Sequence, residues 1–113
     1  MSMPVVNTGD VWLAALDPTV ASEIQKTRPC VVLSPIEMNA YLRTVIVVSM
    51  TTGSRPAGFR VPLSFQGKTG LMLLDQIRTV DKSRLVKKMG AIQKATLSKA
   101  LHTLQDVFKP IDI

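Results

Sequence analysis

The stretch Thr44-Val45-Ile46-Val47-Val48-Ser49-Met50 holds four consecutive β-branched residues, from Val45 to Val48. Branching at Cβ stiffens χ1 and suits a pleated surface, so residues 44–50 read as the strongest strand of the chain. Upstream, Cys30-Val31-Val32-Leu33 is a second buried-strand run, ended by Ser34-Pro35. Pro29 biases Arg28 towards extended geometry at the entry to that run. Further back, Val11, Trp12 and Leu13 favour extended backbone in a strand from Asp10 to Leu16, broken by Asp17-Pro18-Thr19. Residues 18–28 are mostly small or polar, lack periodicity and read as a long loop.

Downstream, residues 51–58 (Thr-Thr-Gly-Ser-Arg-Pro-Ala-Gly) form a turn-rich loop before a short strand at 59–63. Residues 65–70 read as a turn, and 71–74 as a strand that continues over 76–80 beyond a bend or bulge near Asp75. Met89 to Ile92 reads as one more short strand. From Ala95 to Lys109 the period changes. Leu97, Leu101, Leu104 and Phe108 recur at helical spacing on one apolar face, and Pro110 stops the helix. Several strands and one terminal helix predict a mainly β domain over residues 1–113: a small barrel or strongly bent antiparallel sheet, with the helix (about 95–109) over one opening or edge.

Size and composition agree. A chain of 113 residues fits one domain. It buries roughly 65% of its extended-chain surface. No apolar run approaches the ~18 residues of a membrane span, and the first residues lack the basic and apolar regions of a secretion signal. The single cysteine, Cys30, cannot pair within the chain, which points to a reducing cytoplasm.

Several chemistries are excluded by counting. One His and one Cys cannot build a four-ligand His/Cys zinc site or a two-histidine ribonuclease within one chain. Five scattered aromatics do not make a strand-borne base-stacking platform. No glycine-rich phosphate loop or Gly-x-Ser-x-Gly elbow is present. The net charge is +6, and its distribution is uneven. Residues 1–25 hold three acids and no base, residues 26–68 six bases against Glu37, and residues 78–99 seven against Asp81. Such a field attracts polyanions; it also simply keeps a surface soluble.

A basic protein of this composition can still cleave RNA, because RNA carries its own nucleophile in the 2′-hydroxyl. A base must take the 2′ proton, donors must stabilise the phosphorane, and an acid must protonate the leaving oxygen. Arginine suits the second task, since its planar fork matches phosphate oxygens and keeps its charge. Glu23 lies five residues before Arg28 with Lys26 between them, a spacing equally expected of an ordinary surface ion pair. Thr51 and Thr52 can donate to a phosphate or close a turn on their own backbone. Asp75 and Arg78 lie on opposite faces of a regular strand; Asp75 can anchor a bend, and Arg78 can pair with Asp81 or Asp17. His102 reads as a half-exposed helix residue and Cys30 as core.

Ordered blocks of the chain resemble the MazF/PemK family of bacterial type II toxin–antitoxin toxins. They are Gly9-Asp10-Val11-Trp12, Leu16-Asp17-Pro18-Thr19, Ser22-Glu23-Ile24-Gln25, the run from Thr27-Arg28-Pro29 to Pro35, and Asp75-Gln76-Ile77-Arg78-Thr79-Val80-Asp81. The resemblance implies a small SH3-like barrel of the MazF/CcdB type, usually a homodimer. It implies sequence-specific cleavage of single-stranded mRNA without metal or cofactor, leaving a 2′,3′-cyclic phosphate and a 5′-hydroxyl. It also implies a cognate antitoxin whose acidic C-terminal segment covers the RNA surface, which fits the charge distribution. By the same resemblance Arg28 stabilises the phosphorane, Thr51 donates to that phosphate and Glu23 is the candidate base. Gln25, Lys26, Thr52, Asp75, Gln76 and Arg78 contact RNA or orient the site.

Two departures bear on mechanism. Ser22 stands where some relatives have histidine, and Leu73 where some have an arginine two residues before the aspartate matching Asp75. An arginine-acid, aspartate-base mechanism therefore does not transfer whole. Two alternatives share the fold: a non-enzymatic poison of DNA gyrase acting through its terminal helix, and an inactive RNA-binding relative. RNA specificity is expected in the loops at residues 18–27 and 51–58.

Overall fold

The computed structural model describes residues 3–16 and 26–112. Among these residues the order is β1 (Asp10–Ala14), β2 (Arg28–Val32), α1 (Ile36–Tyr41), β3 (Thr44–Thr51), β4 (Arg60–Phe65), β5 (Lys68–Leu73), β6 (Arg78–Asp81), β7 (Leu85–Ala91) and α2 (Lys94–Val107). Short 3₁₀ turns at Leu74–Gln76 and Lys82–Arg84 flank β6. All pairings are antiparallel, in the order β4-β5-β3-β2-β1-β7, with β6 also on β3. The sheet is strongly bent and does not close into a continuous ladder. The mainly β architecture with a terminal helix is the one expected.

Strand β3 organises the sheet because both its faces are buried. Val45 and Val47 pack with Trp12, Ala14, Cys30 and Val32, whereas Val48 packs with Val11, Val31 and Leu33 on the other face. Burial on two faces explains the uninterrupted β-branched run, since a one-sided strand would alternate with polar residues. On its second edge β3 meets β5 and β6 in succession. Met50 and Thr51 pair with Met72 and Leu71, and Val47 to Thr44 then pair with Arg78 to Asp81. Three more residues are used on the β5–β6 side than on β3, and the 3₁₀ turn at Leu74–Gln76 absorbs them. This is the bend expected near Asp75.

The gap between sheet edges is bridged at the β4–β5 hairpin. Its turn is only Gln66-Gly67, both at positive φ (50° and 78°), so β5 begins at Lys68 and the six-residue turn expected at 65–70 is corrected to two. Primed turns of this kind match the twist of the strands they join. The Gln66 side-chain amide donates to the Met89 carbonyl at 3.0 Å. Gly90, at φ 148° beside a register shift in β7, lets the Phe65 ring lie against its backbone; a Cβ there would sit 3.3 Å from the ring.

Helix α2 buries Ala100, with Leu97 and Leu104 packed around it, against the Val11/Val31/Val48 side. Phe108, expected on that face, is 67% exposed: Val107 ends the helix and Phe108 is its C-cap, beyond the sheet. Gly9 fits beneath this helix at φ 90°, where a Cβ would come within 3.2 Å of Leu97. Helix α1 is an element that the sequence reading omits. It is six residues long and is held by Asn39, whose amide donates to the Ser34 carbonyl at 2.8 Å and accepts from the Ser34 hydroxyl. No described helix is long and apolar enough to cross a membrane.

Candidate functional site

The register of β2 on β3 assembles the site. Cys30 pairs with Ser49 at the end of that antiparallel ladder, and Arg28 and Thr51, each two residues beyond, line the same clefts. Arg78 begins β6 opposite Val47, on the other edge of β3. Residues far apart in sequence thus reach one end of one strand. A cleft of about 460 Å³ opens there, lined by Arg28, Ser49, Thr51, Gln76 and Arg78, with Leu16, Ser54 and Leu73 completing it. A second cleft, of about 370 Å³, adjoins it and shares Arg28 and Thr51. Arg28 and Thr51 therefore stand on the wall between two concavities.

Arg28 and Arg78 are exposed, and neither guanidinium has a carboxylate or hydrogen-bond partner among the described residues. The pairing of Arg78 with Asp81 considered above does not occur; Asp81 caps its own turn at Ser83 and lies 3.7 Å from Arg43. The Thr51 hydroxyl oxygen accepts the Gly53 N–H at 3.2 Å, which fixes the side chain and leaves its own proton to donate. Turn closure and ligand donation, posed as alternatives for this threonine, are compatible. Gly70 presses against the same residue: a Cβ there would lie 2.6 Å from the Thr51 carbonyl oxygen.

Cys30 lies beneath the cleft. Burial pushes its thiol up to about 11, although a Ser49 hydrogen bond and the charges of Arg78 and Arg28 pull the other way. That places the thiol in the core as an inert neighbour of the two arginines.

Asp75 takes a different position from the other residues expected at the site. Its carboxylate receives Nε and Nη2 of Arg60, both at 3.2 Å, and does not line either cleft. The Arg60 hydrogen bonds hold the Asp75 carboxyl below its ordinary value. Arg60 also donates to the Arg55 carbonyl at 3.0 Å. One guanidinium thus ties the loop carrying Ser54 to the turn carrying Gln76, two contributors to the cleft. Asp75 anchors the bend, as one of its two readings had it. Thr52 lines the second cleft and Gln76 the first, while Lys26 is exposed just before β2. Glu23 and Gln25 lie outside the described residues. Leu73, at the departure noted above, is 5% exposed and forms part of the cleft wall, where it can carry no proton.

Gly9, Asp10 and Trp12, the first of the resembling blocks, are structural. Asp10 is buried and accepts from Asn7 N–H at 2.9 Å and the Trp12 indole at 3.3 Å, with Lys88 at 3.5 Å. His102 is exposed on α2, its Nδ1 2.8 Å from the Ser98 carbonyl and remote from the clefts. Among the described residues no His, Cys, Asp and Glu side chains gather in a group able to hold a metal. The sequence reading missed Ser49, Phe65, Lys68 and Gly70. Ser49 alone had a usable signal, since it shares a face with Thr51 at strand spacing.

A family model described as "PemK-like, MazF-like toxin of type II toxin-antitoxin system" matches residues 7–108. The chain belongs to the PemK/MazF toxin family. It is 36% identical over 105 residues to endoribonuclease PemK of Escherichia coli, covering 88% of this chain and 79% of that protein. Endoribonuclease EndoA of Bacillus subtilis is 32% identical over 114 residues, covering 96% and 98% of the two chains. Agreement with these enzymes over most of its length makes this family member an endoribonuclease toxin and favours nuclease over gyrase poison. The fold is also that of MazF from Deinococcus radiodurans, with a TM-score of 0.78 at 23% identity, covering 95% of this chain and 99% of the other. A mycobacterial endoribonuclease solved in complex with its cognate antitoxin superposes with a TM-score of 0.79 at 23% identity, over 95% and 99%.

Proposed function

We propose that this PemK/MazF toxin cleaves single-stranded mRNA at a preferred sequence, by attack of a ribose 2′-hydroxyl on the adjacent phosphorus in the Arg28–Thr51–Arg78 cleft. The 2′-oxygen forms the new bond to phosphorus as its proton passes to a base. The bond from phosphorus to the 5′-oxygen then breaks, and that oxygen takes up a proton. A 2′,3′-cyclic phosphate and a 5′-hydroxyl result, and the atoms balance without metal or cofactor.

The observation that carries this reading is the convergence on one cleft of two guanidinium groups, unpaired among the described residues, and a fixed threonine hydroxyl. Arg28 neutralises the charge that builds on the phosphorane and Thr51 donates to the same oxygens. Arg78 and Gln76, with Lys26 and Thr52 nearby, hold the strand. Glu23 is the base, and Gln25 assists from the same segment.

The open cationic clefts also suit the acidic C-terminal segment of a cognate antitoxin, which would compete with RNA for them. We place the toxin in the cytoplasm as a homodimer. The test is primer extension on a long RNA with purified protein in EDTA, followed by end-group analysis. Discrete cuts with cyclic-phosphate ends are expected, and none at a site carrying a 2′-deoxy sugar. Loss of all cuts in EDTA, or cutting at the 2′-deoxy site, would refute the mechanism.

A further inference from the structure

A third cavity, of about 290 Å³, lies at the Thr44 end of β3 and shares no lining residue with the two arginine clefts. Residues 3–7 and α1 enclose it, and Lys82 completes its wall. Most of that wall is apolar. Val6 is buried in it, whereas Val5 and Ile36 stand exposed. Among the described residues that line the cavity Lys82 alone is charged, and it is 5% exposed. Its ammonium donates to the Asn39 carbonyl, and no carboxylate pairs with it among the described residues. Asp81, its neighbour in the chain, is turned instead to the Ser83 N–H and to Arg43. An ammonium has three donors, so a single carbonyl leaves two to give. A cation taken out of water is costly to hold unless a counter-charge meets it.

We propose that this cavity is a binding site for a small organic acid, a monocarboxylate with a short aliphatic body. The carboxylate accepts the remaining Lys82 donors, and Asn7 on the exposed rim adds an amide donor. The aliphatic body covers Val6, Val5 and Ile36, two of which otherwise keep most of their surface in water. Size and sign narrow the ligand further. The volume is at the lower end of small-molecule pockets, too small for a nucleotide strand or a folded partner. The single lining charge is positive, so an amine of the same shape is disfavoured. Lys82 directly follows β6, and its backbone N–H donates to the Arg43 carbonyl at 2.8 Å, so a bound acid braces α1, residues 3–7 and the β6 end together. Nothing here depends on the RNA chemistry at the other end of β3.

The experiment titrates the full chain with sodium pentanoate, beside 1-pentanol and pentylamine, by calorimetry and by amide NMR. The expected Kd for pentanoate is about 1 mM, the scale reached by a ligand of so few atoms. The alcohol and the amine should bind at least about tenfold more weakly, since neither brings a negative charge. Amide shifts should be confined to residues 5–7, 36–40 and 82–84. Lys82→Met should weaken pentanoate at least about tenfold. That variant also leaves the Asn39 carbonyl without its donor, so Ala40→Phe provides a second test. Ala40 is an exposed α1 residue that lines the cavity, and a ring there blocks the site with the unfolding midpoint near that of wild type. Arg28→Ala should bind pentanoate as wild type does. No binding to wild type at about 10 mM would overturn the proposal, as would equal affinity for 1-pentanol. Shifts centred on Arg28 and Arg78 would also overturn it, by assigning the anion to the arginine clefts, and so would undiminished binding in both Lys82→Met and Ala40→Phe.

Discussion

The two ends of strand β3 treat charge and polarity in opposite ways. Near Thr44, the Lys82 ammonium is 95% shielded and donates to the Asn39 carbonyl, while Ser34 and Asn39 satisfy each other and the Ser34 hydroxyl accepts Ile46 N–H at 3.0 Å. No buried side-chain nitrogen or oxygen among the described residues lacks a partner. Near Thr51, two arginines stand in open clefts with no carboxylate among the described residues to meet them. Polar groups that complete one another within the chain hold the fold, because leaving one unpaired after burial is expensive. Cations that stand in a concavity with no partner among the described residues are open to an anion from outside the fold. Arg60 and Asp75 mark the border, since their pairing shapes the cleft without entering it.

Substitutions at the two ends should separate activity from stability. The largest effect is expected of Arg28→Ala, a loss of at least about 100-fold in single-turnover RNA cleavage, the scale of removing one transition-state donor. Its unfolding midpoint should stay near that of wild type, since Arg28 has no partner among the described residues. At the closed end, Asn39→Ala leaves the buried Ser34 hydroxyl proton without its acceptor and removes one of the two donors to the Ser34 carbonyl, which keeps the Thr8 hydroxyl. Denaturant unfolding should show a loss of about 1–3 kcal/mol, with cleavage per folded molecule unchanged. Arg78→Ala comes next: a rise in KM of about tenfold with a smaller change in kcat, and a shallower salt dependence of RNA binding, as for a strand-holding cation.

The smallest effect concerns the border pair. The Asp75 carboxyl is held below its ordinary value chiefly by the Arg60 hydrogen bonds. A carboxyl depressed in the folded state contributes stability that is present at neutral pH and lost as pH falls through its folded value. Asp75→Asn should therefore lower the unfolding midpoint slightly at pH 7. At a pH acid enough to protonate Asp75 in wild type, the two proteins should converge, as thermal melts across an acid series will show.

The same contrast explains what could be read from sequence. Strand β3 was legible because burial on both faces leaves an uninterrupted β-branched run, and α2 because fourteen residues carry a helical period. Helix α1 was not, since six residues show too little period and its stability comes from the Ser34–Asn39 bonds. Ser34-Pro35 and Glu37 were nevertheless signals for a helix start. Phe108 follows the heptad-like spacing but falls past the end of the sheet, which no periodicity records. At the site, Arg28 and Thr51 stood out only through the family resemblance; their spacing is uninformative because β-sheet register, not sequence distance, makes them neighbours. The second cleft was illegible for the same reason: Met50, Phe65 and Met89, which line it, come from three strands.

The most direct measurement is a paired one, cleavage rate and unfolding midpoint for Arg28→Ala and Asn39→Ala beside wild type. Arg28→Ala should lose cleavage and keep its midpoint, and Asn39→Ala should lose midpoint and keep cleavage per folded molecule. An Arg28→Ala protein that folds normally and cuts RNA at the wild-type rate would contradict the assignment of the open end of β3 as the catalytic site.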